Sequence, residues 1–371
     1  MGAVTMPGSG RDTGGDAQTS PVCAYNEWDP LEEVIVGTCA GATVPPWDLV
    51  LAGAMPEDSI PFFQEHGGTH FPQERIDAAN RNLDELVSLL ESEGVQVRRP
   101  KPIDHAAPFS APDWTSPSGV YNAMPRDLML VIGNEIIETP GAWRSRYFEF
   151  KAYRELIKEY FRAGARWTAA PRPELSDDLY VQDYTPPADG EPMRYVLTEF
   201  EPVFDAADFV RCGTDIFGHR SNTTNAAGFE WLRRHLGSDF RVHEIEVDDT
   251  MPMHIDSTFM PIAPGKVVIN PDRVKKVPDV LRHWDILVPP RPTIPDGHPL
   301  YMSSKWITMN VLMLDENRVV VEENEAPLIQ AFKEWGFVPL PCPFRDFNSF
   351  GGSFHCATLD VRRRGTLQTY I

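Results

Sequence analysis

The chain has 371 residues, 42% of them hydrophobic and 24% charged, which is ample for a large buried core built as one big domain or two ordinary ones. Its 54 Asp and Glu against 34 Lys and Arg give a formal net charge of -20, a surface that repels nucleic-acid phosphates and anionic lipid. No run approaches eighteen apolar residues, and the five cysteines are widely spaced without a Cys-x-x-Cys pair, which speaks against a membrane span, a zinc site and a disulfide framework.

The opening residues are rich in Gly, Ser, Thr and Asp and lack the basic start and apolar run of a secretory signal. They predict a disordered extension over 1–22, followed by a single domain over 23–371. Glu33 to Gly37 reads as a strand ended by glycine, and the Pro- and Gly-rich stretch 41–72 as a long excursion. Over 73–93 the spacing of Leu83, Leu86, Val87 and Leu90 predicts a helix, stopped by Gly94 and followed by a short strand at 95–97. Strands are expected at 128–132 and 135–137 about the turn Gly133-Asn134, and an amphipathic helix over 144–162. The acidic, Pro-rich stretch 172–192 reads as a surface loop or lid. The pattern then recurs: paired strands at 208–212 and 215–217 about Gly213, a helix over 222–236 and a strand at 242–247. Further paired strands are predicted at 258–262 and 266–270, and at 310–314 and 319–322, with a helix at 325–335 and a strand at 337–340. Repetition of a strand-strand-helix-strand unit favours a radially arranged α/β structure over one doubly wound sheet. No Gly-rich phosphate loop is present; Gly351-Gly352-Ser353 is followed by His355-Cys356 after Phe354, not by a helix-opening Lys-Ser.

Four polar clusters sit beside apolar strands: Pro125-Arg126-Asp127, Phe204 to Asp208, Met253 to Asp256, and Gly352 to Cys356. Cys356 is the candidate nucleophile, because thiol chemistry needs a thiolate and a nearby cation favours one. His254 is the candidate base, with His355 its local competitor; in a strand, His355 and Cys356 would point to opposite faces. His254 and Asp256, two residues apart, would point the same way, and Asp205 could hold the other nitrogen of His254. A planar guanidinium would use the remaining carboxylates, Asp127 and Asp256, as acceptors of paired charge-assisted bonds. Arg273 could bind a substrate carboxylate or form a surface salt bridge, and Ser303 and Ser304 could donate to the same end or be turn residues. From these residues alone, a Cys-His-Asp site and a set of unconnected core and surface residues both remain open. The run Arg362-Arg363-Arg364 reads as a C-terminal salt-bridge network rather than a nucleic-acid patch.

At these positions the sequence resembles the arginine:glycine amidinotransferase family, guanidino-group-modifying enzymes related to arginine deiminases. The resemblance runs from about Tyr25 to Ile371 and is carried by FEPVFDAADFVRCGTDIF, by MHIDSTF with NPDR, by HPLYMSSKWITMNVLMLDE, and by GGSFHCATLDVRRRGTLQTY. It implies a five-bladed α/β propeller with pseudo-fivefold repeats. It further implies that Cys356 is the nucleophile, His254 the acid-base and Asp205 its partner. Asp127 and Asp256 correspond to guanidinium-gripping carboxylates, Arg273, Ser303 and Ser304 to residues holding the amino-acid end, and Tyr121 to a substrate contact. No metal and no organic cofactor is implied; a cytoplasmic homodimer is.

The activity implied is ping-pong transfer of the amidino group of L-arginine, through a covalent amidino-Cys356 intermediate, to an acceptor amine with release of L-ornithine. One departure concerns the acceptor. The glycine-using pattern has Asn-Pro-Met-His, whereas this chain has Met251-Pro252-Met253-His254. An amide can orient a small polar acceptor in ways a methionine cannot, so Met251 and Met253 mark acceptor specificity: either the acceptor differs from glycine or the pocket is larger or more apolar, and glycine and other amino acids or biosynthetic amines stay open as acceptors. Antibiotic and toxin pathways use enzymes that resemble the same family, so a biosynthetic amine is expected. The rival readings are a deiminase-type hydrolase and a non-catalytic guanidino-compound-binding protein.

Overall fold

The computed structural model describes residues 19–188 and 190–371. Of the extension expected over 1–22, residues 1–18 lie outside the described residues, while Ser20 and Val22 at its end are buried. No helix among the described residues is long and apolar enough to cross a membrane.

Five three-stranded mixed sheets carry the fold, each an antiparallel pair extended by a third, parallel strand. They are formed by 129–132, 135–138 and 166–169; by 209–212, 215–218 and 241–244; by 259–263, 266–269 and 285–287; and by 312–313, 318–322 and 338–342. In the fifth, Leu31–Val36 pairs antiparallel with Thr358–Arg363 and parallel with Gln96–Arg98, so the C-terminal strand is tied to the first strand of the chain. A small hairpin at 109–110 and 115–116 completes the set.

The α/β class and the recurring unit therefore stand as expected, but the five-bladed propeller is corrected. The strands form separate small sheets, and no sheet among the described residues is closed or curled into a barrel or propeller. Periodicity and turn residues act over a few positions: they specify each hairpin and its crossover, and carry no information about how one small sheet stands to the next.

Local details also differ from the sequence pattern. The helix expected over 144–162 is two short 3-10 turns, Arg144–Arg146 and Glu149–Ala152, before an α-helix at Arg154–Arg162. The excursion 41–72 contains helices Leu49–Ala54 and Ile60–His66. The helix expected from 222 begins at Ala226, where Asn225 caps it by accepting from the backbone N–H of Gly228. Gly213 does make the expected turn, with φ +68, and a side chain there would run into the Gln368 carbonyl.

One regularity places the site. Four of the sheets are entered through a single helical turn just before their first strand: Pro125–Leu128, Ala206–Asp208, Ile255–Ser257 and Lys305–Met309. The fifth is entered through the turn 354–357 that precedes Thr358–Arg363. Successive turns touch, 125–128 with 206–208, 206–208 with 255–257, and 255–257 with 305–309. Every residue singled out for chemistry at positions 127, 205, 254, 256 and 356 lies on or beside one of these turns.

Candidate active site

Cys356 is buried on the turn before the last strand. Its Sγ accepts a hydrogen bond from Asn310 Nδ2 at 2.9 Å and donates to Asp256 Oδ2 at 3.2 Å. Asp256 is also bonded to His355 Nδ1 at 3.0 Å, and His355 Nε2 lies 3.3 Å from Glu27 Oε2. The strand geometry expected at 355–356 is thus absent: on a turn, the adjacent His355 and Cys356 both reach Asp256. Burial pushes the Asp256 carboxyl up, but the bond from His355 and the charges of His355 and His254 outweigh it and hold Asp256 below the usual aspartate range.

His254 is not on a strand either. It opens the 3-10 turn Ile255–Ser257 with φ +57 and ψ +132, a conformation that costs a non-glycine residue about 1–3 kcal/mol. Asp208 holds it there, accepting the His254 backbone N–H at 2.9 Å through Oδ1. The other oxygen of Asp208 accepts from the hydroxyls of Ser221 at 2.7 Å, Thr223 at 3.0 Å and Thr224. On the same turn, Asp205 Oδ2 lies 3.1 Å from His254 Nε2. That leaves His254 Nδ1 facing Asp127 Oδ1, 3.7 Å away. Burial works against charge on His254, yet Asp127, the bond to Asp205 and contact with Cys356 outweigh it and hold the imidazolium well above the ordinary histidine range. Burial and then the Asp256 carboxylate push the Cys356 thiol up to about 12, against the smaller opposing influence of His254.

Asp127 is buried, with Oδ2 bound to Arg146 Nη1 at 2.7 Å and Oδ1 without a hydrogen-bond partner. Arg126, its neighbour, points away and pairs with Asp360. An oxygen of Asp127, a ring nitrogen of His254 and the sulfur of Cys356 lie within 4.8 Å of one another. That spacing suits a flat guanidinium carbon placed against sulfur; the same three atoms could also ligate a thiophilic cation, which would then compete with the guanidinium.

The cavity over Cys356 has two lobes that share Met253, His254, Met302, Gly351 and Cys356. One is largely apolar and includes Tyr121, Met124, Asp127 and Arg146. The other has the larger share of polar groups and includes Asp249, Met251, Arg273, Ser303 and Ser304. In it Arg273 Nε pairs with Asp249 at 2.8 Å, and its terminal nitrogens reach Ser257 Oγ at 2.9 Å and Ser304 Oγ at 3.3 Å. Ser303 Oγ is buried with no partner, whereas Ser304 caps the turn Lys305–Met309. Tyr121 is buried beneath the Arg146 guanidinium, 5.3 Å from its ring centre.

No protein-family model matches the chain. It is 55% identical over 354 residues to the L-arginine:L-lysine amidinotransferase of Pseudomonas savastanoi pv. phaseolicola, covering 95% of this chain and 98% of that one. It is 52% identical over 370 residues to the mitochondrial glycine amidinotransferase of Danio rerio, covering 96% and 86%. Among solved structures, SxtG, an amidinotransferase of the saxitoxin biosynthetic pathway from Microseira wollei, superposes with a TM-score of 0.92 at 53% identity, over 95% of this chain and all of that one. The chain belongs to the amidinotransferase family. It is an enzyme of that class, and its buried Asp-His-Cys cluster suits amidino transfer through a covalent intermediate.

The sequence-predicted residues of this amidinotransferase line one two-lobed cavity, except Asp205, which bonds to His254 and lines a separate pocket. Sequence reasoning missed Arg146, Glu149, Asn310 and Asp249. Arg146 lay within a predicted amphipathic helix, where an arginine reads as a solvated face; it is instead fixed by Asp127 and by Glu149 at 2.8 Å. Asp208 was within a cluster already singled out, but nothing in a sequence reveals that a carboxylate will hold a backbone N–H. Asn310 stood at the start of a predicted strand with no signal to separate it from a strand residue.

Proposed function

We propose that this amidinotransferase takes the amidino group from L-arginine and passes it to a primary amine other than glycine. The observation that carries the reading is the meeting of Cys356, His254, Asp127 and Asp256 where the lobe bearing Arg273, Ser303 and Ser304 joins the lobe bearing Tyr121 and Met124. The donor's α-carboxylate sits against Arg273, Ser303 and Ser304, and its guanidinium between Asp127 and Asp256, near Tyr121. A cation seated there offsets the carboxylate field that keeps the Cys356 thiol protonated.

Cys356 Sγ then bonds to the guanidinium carbon, the bond from that carbon to the ornithine nitrogen breaks, and His254 protonates the departing amine. The thiol proton leaves to solvent as the cation seats, and His254 gives its own proton to the ornithine nitrogen, so the amidino-thioether keeps the single positive charge of the guanidinium and His254 is left neutral to act as base. The acceptor amine enters, His254 removes its proton, and the amine attacks the same carbon to release a guanidino product and the free cysteine. Asp205 orients His254 throughout. Met124, Met253 and Met302 about the buried sulfur disfavour a competing water, which separates transfer from hydrolysis.

The acceptor reading is supported by Met251, which lines the lobe bearing Arg273 in place of the amide of the glycine-using pattern, and by a 55% identical relative that uses L-lysine. A service in the biosynthesis of a specialised compound fits a similar structure from a toxin pathway. A cytoplasmic homodimer without a nucleic-acid partner or cofactor is the expectation carried by the resemblance and by the charge of -20; light scattering and fractionation test it. The direct test is incubation with arginine alone. The Cys356 peptide should gain the mass of one amidino group with release of ornithine, and a C356S variant should do neither. Ornithine release by C356S would sink the mechanism.

A further inference from the structure

Asn310 is fully buried between the turn Lys305–Met309 and the strand 312–313. Its Oδ1 accepts the backbone N–H groups of both His355, at 2.9 Å, and Cys356, at 3.1 Å. Two N–H donors on one atom decide which end of the amide is oxygen. The other end is therefore the NH2 group, and it is this nitrogen that lies 2.9 Å from Cys356 Sγ.

We propose that Asn310 is a catalytic residue of the transfer reaction: its Nδ2–H donates to the Cys356 sulfur while its Oδ1 fixes the turn that carries that sulfur. The inference rests on the reading of Cys356 as the nucleophile. A thiol sulfur accepts hydrogen bonds weakly and a thiolate strongly, so the bond strengthens as negative charge gathers on sulfur. An interaction that strengthens on the way to the transition state raises the rate rather than merely tightening the ground state. Sγ also meets the imidazole of His254, which favours charge on sulfur, and the carboxylate of Asp256, which opposes it. With burial that carboxylate pushes the thiol up, so a fixed neutral donor to the sulfur meets a specific need. Asn310 neither gains nor loses a proton; the sulfur lone pair passes to the guanidinium carbon and the N–H contact remains. The bond strengthens again as the second half-reaction returns charge to the sulfur, so it serves both directions of the ping-pong cycle.

Two variants separate the two ends of the amide. N310D keeps an oxygen for the two backbone N–H groups but removes the donor to sulfur, and N310A removes both. The measurements are the pH midpoint of Cys356 alkylation by iodoacetamide, followed on its peptide by mass spectrometry, and the single-turnover release of ornithine from arginine. Thermal melting checks that each variant is folded. Both midpoints should move upward, and ornithine release should slow about 10²–10³-fold in each, as when one donor to a developing anion is lost. A folded N310D with an unchanged midpoint and an unchanged single-turnover rate would overturn the proposal. Loss of the fold in both variants would also overturn it, making residue 310 structural. C356S runs alongside: if it still releases ornithine, the nucleophile reading fails, whereas an inert C356S beside an unchanged N310D sinks the role of Asn310 alone.

Discussion

His254 shows how a single residue is made fit for its work at a local cost. Its positive φ is held against strain by Asp208, whose carboxylate is buried and satisfied by a backbone N–H and three hydroxyls. The sequence signalled the residues whose chemistry is in the side chain: Cys356, His254, Asp205, Asp127 and Asp256 are types that nucleophiles, bases and cation sites require. It did not signal residues that act through backbone atoms or through an amide, because Asp208 and Asn310 carry no type or spacing that distinguishes them from cap or strand residues. D208N should therefore leave the protein folded and the KM for arginine little changed, while kcat falls about a hundredfold, the cost of displacing a reacting group by an ångström. Steady-state kinetics with a melting curve checks this, and an unchanged kcat would remove Asp208 from the positioning of His254.

At the scale of elements, hairpins with glycine at the turn and the helices beginning at Gln73 and Ala326 were legible, whereas the helices expected from 144 and 222 begin later. Paired strands about Gly133, Gly213 and Gly265 follow from alternating apolar residues broken by a residue that tolerates positive φ. The segment 144–162 has helical periodicity, yet only Arg154–Arg162 is α-helical, since Arg146 is drawn inward to pair with both Glu149 and Asp127. The one-turn entries to the sheets were invisible because a single turn has no periodicity to read. Their tight packing has a consequence at the turn that carries the nucleophile. A Cβ on Gly352 would sit 2.5 Å from Met124 Sδ and 2.9 Å from Cys356 Cβ. Gly352→Ala should displace Cys356 and lower kcat about a hundredfold with the circular dichroism spectrum unchanged. Full activity in the purified variant would show that the turn yields without moving the sulfur.

The whole molecule is strongly acidic outside and charge-dense within. Asp360 is buried with Arg126, Arg211 and Arg363 around it, Arg211 pairs with Glu27, and Glu27 approaches His355 behind the site. Arg362 and Arg364 meanwhile pair with Glu32, so all three arginines of the run 362–364 enter ion pairs as expected. Burial raises the Asp360 carboxyl, but its three arginines outweigh that and hold it well below the usual aspartate range. A depressed carboxylate contributes stability that is present above its unfolded value of about 4 and lost as pH falls below it. D360N should cost about 3–5 kcal/mol at neutral pH, the penalty of breaking a buried pair from one side, and should flatten the loss of stability below pH about 4. Urea unfolding at neutral and acid pH measures both, and a midpoint equal to wild type would mean the arginines find other partners. The arrangement of the separate sheets was the least legible feature, because it depends on contacts between units rather than on any local pattern.

Transfer to an amine, rather than hydrolysis, is the chemistry at stake. The most direct measurement supplies arginine with glycine, lysine, β-alanine, γ-aminobutyrate and an amino-cyclitol, and follows ornithine, citrulline and guanidino products by mass spectrometry. Ornithine should appear in step with a guanidino product of an amine other than glycine. Citrulline formed without any guanidino product would contradict transfer and make the protein a hydrolase.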